Sequence, residues 1–147
     1  MTANSKENIK NLFHPDDYPI LLPQNENIDF ILMKKKGVAR YCIAYVDLKN
    51  FEDLDAEVNN IRKLLQKSTK AIWLLREVGA FIILKTDKDI SNIEQSQLKV
   101  DTTGFHAVII QGLYIIGKKS TLFNQSKWFK YSFGESEDIE KKLQSII

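Results

Sequence analysis

Apolar side chains recur along this chain with two different periods. In 53 to 67, DLDAEVNNIRKLLQK, the residues Leu54, Val58, Ile61 and Leu65 step by four, three and four, with acids early and bases late. That is the stripe of an amphipathic helix whose charges complement its dipole. Ahead of it, 28 to 36 (IDFILMKKK) alternates, setting Ile28, Phe30 and Leu32 on one face of a strand and Asp29, Ile31 and Met33 on the other. Gly37 supplies a turn and 38 to 50 (VARYCIAYVDLKN) a longer strand, so 28 to 48 reads as an antiparallel hairpin with Lys34, Lys35 and Lys36 at its tip.

Weaker signals frame this centre. Ser5 is placed to cap a short helix over 6 to 13, with Ile9, Leu12 and Phe13 on one side and Pro15 ending it. YPILLP, 18 to 23, is a short apolar run bracketed by prolines, which suits an edge strand. Downstream, 70 to 86 reads as two apolar strands about Gly79, and 91 to 99 as a helical turn with the S-x-x-E spacing at Ser91 and Glu94. The β-rich stretch 105 to 119 is interrupted at Gly112 by a turn or bulge. Residues 120 to 134 read as loop, and a last helix starts near Ser136, burying Ile139, Leu143 and Ile146.

Composition narrows the picture. At 147 residues, 44% of them hydrophobic, the chain suits a single domain over 1 to 147. Its net charge of +2 carries neither a polycationic nor an acidic signature, so local clusters must supply any charge-based function. Cys42 stands alone in an apolar run, so no disulfide can form within the chain and no cysteine-based zinc site can be built. No stretch approaches the roughly 18 apolar residues of a membrane span, and the N-terminal segment lacks the apolar core of a signal peptide. The expectation is a soluble cytoplasmic protein with no membrane partner.

The residues with chemical potential lie in the hairpin. Residues two apart on a strand share a face, so Asp47 and Lys49 would project together while Val46 and Leu48 point to the core. Asp29 would join them if the hairpin register permits. Two carboxylates and the Leu48 carbonyl would offer hard oxygen ligands of the kind magnesium takes. Only two D/E-x-K tripeptides occur, Asp47 to Lys49 and Glu140 to Lys142, and the second falls on a helix.

The order helix, strand, strand with Asp29 in IDFIL, strand ending in YVDLKN, helix, strand resembles the PD-(D/E)xK nuclease superfamily, the restriction-endonuclease-like fold. The resemblance covers about 5 to 86. It implies an α/β (α+β) domain with an αβββαβ core, a mixed central sheet flanked by helices, and extra C-terminal strands with a final helix. It further implies that Asp29 and Asp47 bind Mg²⁺ (or Mn²⁺) while Lys49 positions and activates the attacking water of a nuclease, with DNA preferred over RNA. Glu7 and Gln66 match accessory positions of some members, although Glu7 lies opposite the apolar side of its helix. The sequence departs from the pattern in having Asp as the second acid and Ile-Asp in place of Pro-Asp.

Lys34, Lys35 and Lys36 are the preferred candidates to grip a phosphate backbone, with Lys118, Lys119, Lys127 and Lys130 beside Trp128 as further cations. A homodimer would let so small a nuclease cut both strands. His14 and His106 show no metal-ligand spacing, and no glycine-rich phosphate loop occurs. The alternative from another class is a non-catalytic binding protein, either a toxin-neutralising immunity protein with a protein toxin as partner or an inactive descendant of the nuclease fold.

Overall fold

The computed structural model describes residues 5–21, 28–36, 39–102, 106–126 and 135–146. In chain order these hold α1 (Ser5–Leu12), β1 (Ile20–Leu21), β2 (Phe30–Lys36), β3 (Ala39–Lys49), α2 (Leu54–Thr69), β4 (Val78–Thr86), β5 (Val108–Ile116), β6 (Thr121–Gln125) and α3 (Glu135–Ile146). The strands form one sheet in the order β1-β2-β3-β4-β5-β6. The β3–β4 and β4–β5 pairs are parallel and the outer pairs antiparallel, which makes the sheet mixed and the class α+β.

Each face of the sheet carries its own core. On one side Val58, Ile61 and Leu65 of α2 pack with Cys42, Ala44, Val46, Ile82 and Ile110, and Leu54 joins them half-buried. The four-three-four stripe therefore does what its spacing predicts. Asp53 caps the helix by accepting the Ala56 N–H at 3.2 Å. On the other side Ile9 of α1, Phe13 just after it, and Ile139 and Leu143 of α3 pack with Tyr41, Ile43, Phe81 and Tyr114. With helices on both faces, β4 and β5 are buried almost throughout, and for that reason read as unbroken apolar runs instead of alternating ones.

Several expectations are corrected. Residues 70 to 77 do not form a core strand. Ile72 pairs with Arg76 in a tight turn, and Ile72, Trp73, Leu74 and Leu75 face solvent, while Gly79 lies inside β4 against the Gln111 side chain. The break in β5 is a register shift that passes over Gln111, next to Gly112, so the strand continues through it. Residues 121 to 125, read as loop, are the edge strand β6, whose half-exposed residues lack an apolar period. The capping box falls on Glu94 and Gln97 around a 3-10 turn at Gln95–Gln97, three residues later than Ser91 and Glu94. Ser5 is the first residue of α1, and its hydroxyl meets the Tyr45 phenol at 2.8 Å.

Candidate functional site

Antiparallel pairing sets the start of β2 beside the end of β3, and both candidate acids stand at that junction. Phe30 is the register partner of Tyr45, yet the Asp29 N–H also bonds the Tyr45 carbonyl at 2.9 Å. Two consecutive residues facing one is the arrangement of a β-bulge. It breaks the alternation that the sequence suggests: Ile28 packs with Ile31 on the α2 face, not with Phe30. Asp29 in turn meets Lys6 of α1 at 3.0 Å, on the side that Phe30 faces.

The end of β3 is irregular as well. Asp47 pairs with Lys85 and Lys49 with Thr86, so Leu48 is an extra residue against β4. Lys49 has φ of 54°, in the left-handed region, and its N–H donates to Asp47 Oδ1 at 3.1 Å. The simple two-residue period therefore does not carry Asp47 and Lys49 onto one pleated face. Its failure comes from pairing with β4, which residues 43 to 50 alone do not encode. Leu48 still packs, half-buried, with Val46 in the core under α2, and its carbonyl accepts the Asn50 N–H. The Lys49 carbonyl is held by the Asp87 N–H at 2.8 Å and the Thr86 hydroxyl at 2.9 Å, which anchors the turn to β4. Asp47 and Lys49 are exposed, and Asp47 borders a cleft of about 270 Å³ shared with Glu57 and Asn60 of α2.

Tyr45 is the group on which these charges converge. Its ring is stacked on Phe30 with centroids 5.3 Å apart. Burial raises its phenol above the ordinary tyrosine range, the Ser5 hydrogen bond opposes that, Asp47 and Asp29 both raise it, and Lys6 lowers it. Both carboxylates thus act on one phenol, which stays protonated at neutral pH. Lys6 and Tyr45 carry no signal in the sequence, and Ser5 reads there only as a helix cap. They become visible only when α1 is laid across the hairpin, some forty residues away in sequence.

The other candidates disperse. Lys34, Lys35 and Lys36 lie at the far end of β2, roughly 20 Å from Asp29 at about 3.3 Å per residue. Nearness to the acids in sequence therefore does not put them beside the acids in space. Lys34 instead rests over the Tyr18 ring at 5.1 Å. Glu7 is exposed on α1, and Gln66 is exposed near the end of α2, the end remote from Asp47. Lys127, Trp128 and Lys130 fall outside the described residues, while Lys118 and Lys119 are exposed beyond β5.

As a donor set for a hard divalent cation, Asp29, Asp47 and the Leu48 carbonyl are chemically suitable, all three being oxygens. The Lys6–Asp29 pair is part-exposed and worth at most about 1 kcal/mol, so Lys6 is easily displaced by an ion of higher charge. Among the described residues no group of three His, Cys, Asp or Glu side chains converges as a ready metal site, which leaves two carboxylates as the side-chain donors. Family models, curated proteins and solved structures were compared with the chain, and none matches.

Proposed function

We propose that the chain is a metal-dependent nuclease of the restriction-endonuclease-like kind, hydrolysing phosphodiester bonds, with DNA preferred over RNA. The observation that supports this reading best is that Asp29, just before β2, and Asp47, near the end of β3, lie at the same end of the hairpin, where both raise the Tyr45 phenol. The element order αβββαβ over α1 to β4, with a parallel crossover from β3 through α2 to β4, is in keeping with it.

In this reading Asp29, Asp47 and the Leu48 carbonyl hold Mg²⁺ or Mn²⁺, which when bound supplies Lewis-acid polarisation of the phosphodiester and a lowered water pKa. The Lys49 ammonium, on a backbone turn fixed to β4, places positive charge where negative charge builds on the phosphoryl oxygens. Lys6, freed from Asp29, becomes a second cation for the phosphate. The protonated Tyr45 phenol is not a base in this reading. A backbone laid along β2 from the acids would reach Lys34, Lys35 and Lys36 at the far end.

The test is a cleavage assay on plasmid, single-stranded DNA and RNA with Mg²⁺ or Mn²⁺. Asp47→Ala should abolish cleavage and metal binding. Lys49→Ala should leave metal binding nearly intact and lower turnover by about 10²-fold or more, the scale of losing one charge-stabilising donor. A wild-type protein that neither binds the ion nor cuts any substrate would sink the proposal.

A second reading has its own support. Asp29 is already paired with Lys6, and the Leu48 carbonyl with Asn50 N–H, so this end of the sheet is self-satisfied without an ion. That suits a non-catalytic binding protein, such as a toxin-neutralising one, and recovery of a tight protein partner by an inactive wild-type protein would favour it.

A further inference from the structure

The turn between α2 and β4 presents apolar side chains to water in a way the rest of the described surface does not. Ile72 is 39% exposed, Trp73 46%, Leu74 69% and Leu75 77%, and apart from Ile20 these are the exposed large hydrophobics among the described residues. Their placement is fixed. The Ile72 N–H bonds the Arg76 carbonyl at 2.9 Å, and the Ile72 carbonyl accepts the N–H groups of Leu75 at 3.1 Å and Arg76 at 2.7 Å. Leu74 has φ of 70°, a conformation that a bulky residue adopts only when its surroundings impose it. The result is a short, convex, apolar tip held at the end of the sheet.

The charge around this tip is predominantly basic, the half-buried Glu77 after Arg76 being the acid next to it in sequence. From Val58 to Arg76 the sequence holds Arg62, Lys63, Lys67, Lys70 and Arg76 and no acid. Arg62 is bound to Asp101, but Lys63, Lys67, Lys70 and Arg76 are exposed. The register brings further cations to the same end, since Lys35 pairs with Arg40, and Tyr41, next to Arg40, pairs with Gly79 at the start of β4. The acids of α2, Asp55 and Glu57, lie in its first turn, at the opposite end of the helix.

We infer that the Ile72–Leu75 tip and its basic collar dock on an anionic lipid surface, with Trp73, Leu74 and Leu75 entering the interfacial region and Lys67, Lys70 and Arg76 meeting lipid phosphates and carboxylates. Trp and Leu beside Lys and Arg are the residues that settle at a bilayer interface, and a basic cluster adds affinity for acidic headgroups. Area separates this partner from a protein. Four side chains at these exposures leave roughly 500 Å² in water, short of the about 800 Å² per partner of a stable protein interface. A bilayer accepts a convex wedge without a matching pocket. The sequence-based expectation of no membrane partner rests on the lack of a spanning segment, and peripheral docking requires none; nor does it depend on the nuclease reading.

The full chain is tested by co-sedimentation with phosphatidylcholine vesicles made with and without phosphatidylserine. Wild type should sediment with the phosphatidylserine vesicles, weakly with the others, and less as salt is raised. Lys67→Gln, Lys70→Asn and Arg76→Gln combined should weaken binding about 100-fold, at about fivefold per charge. Leu74→Ser with Leu75→Ser should weaken it at least about tenfold. These side chains are exposed, so circular dichroism and the urea midpoint should stay as in wild type, confirming that the variants fold. In a Trp128→Phe background the remaining Trp73 emission should shift to the blue on adding anionic vesicles. Three results would overturn the inference: no preference of wild type for phosphatidylserine, unchanged binding by the Leu74→Ser, Leu75→Ser variant, or a self-association in solution that this variant dissolves, which would assign the tip to a second copy of the chain.

Discussion

Asp101→Ala should be among the most damaging single substitutions outside the apolar core. Asp101 Oδ2 and Oδ1 accept from the two terminal nitrogens of Arg62 at 2.7 and 3.0 Å, and Oδ2 also accepts the Ile110 N–H at 2.8 Å. Arg62 bonds the Val108 carbonyl at 2.9 Å, and the Asp101 carbonyl takes the Ser126 hydroxyl at 2.6 Å. The carboxylate thus ties α2 to β5, while the backbone carbonyl of the same residue holds the segment after β6. The side chains are 20% and 13% exposed, so removing the acid strands a mostly buried guanidinium and an amide. Breaking a fully buried pair costs about 3–5 kcal/mol, and the residual exposure lowers this to about 3 kcal/mol. At an m-value of about 1.5 kcal/mol per molar, the urea midpoint should fall by about 2 M. Arg62→Met combined with Asp101→Ala should cost less than the sum of the two, because no lone charge remains. A loss under about 1 kcal/mol for Asp101→Ala, or strict additivity in the pair, would refute the assignment.

Leu65 of α2 is fully buried, so Leu65→Ala should cost about 2–5 kcal/mol in urea unfolding with no change in m. Lys49→Gly should separate stability from function: relief of the left-handed lysine should raise stability by about 1 kcal/mol, while the nuclease reading requires a fall in cleavage. Glu140 is pushed from 4.5 up to about 7 by burial and then by Glu137, with Oε1 buried and unpaired. The unfolded chain therefore releases this proton first, and the contribution present below pH 4.5 declines as pH rises to about 7. Glu140→Gln should accordingly raise the melting temperature at pH 8 and change little at pH 4, as thermal scans across that range would show.

Where local periodicity and tertiary role coincide, the chain was legible. The stripe of α2 and the β2–β3 hairpin needed only neighbouring residues to specify them, and Asp29 and Asp47 could be picked out as candidates on that basis. Where a partner distant in sequence decides the outcome, it was not. TLFNQ becomes β6 only because Gly112 to Ile116 offer it a ladder, and Leu48 bulges because β4 takes Asp47 and Lys49 as its partners around it. Arg62 and Asp101, 39 residues apart, carry no mutual signal at all. The apolar run at Ile72 to Leu75 is illegible for a different reason: hydrophobicity ordinarily implies burial, and here the side chains are exposed.

The places where the backbone departs from local rules are themselves informative. Among the described residues three without a glycine's freedom have positive φ: Lys49, Lys70 and Leu74. Lys70 closes α2, donating its N–H to the Gln66 carbonyl, an ordinary use of the left-handed region at a helix end. Neither of the other two has that explanation. Lys49 belongs to the irregular end of β3, opposite the bulge at Asp29, and Leu74 to the apolar tip. Such strain, of the order of 1–3 kcal/mol, persists when surrounding contacts enforce it, and it gathers where a side chain must be aimed. At Lys49 those contacts are the Thr86 and Asp87 bonds to its carbonyl, which fix the backbone of this turn to β4. At Leu74 they are the bonds across Ile72 and Arg76, which hold three apolar side chains away from the core. The two ends of the β3–α2–β4 crossover are thus distinguished by the same physical sign, one at the proposed phosphodiester site and the other at the apolar tip proposed to dock on a bilayer.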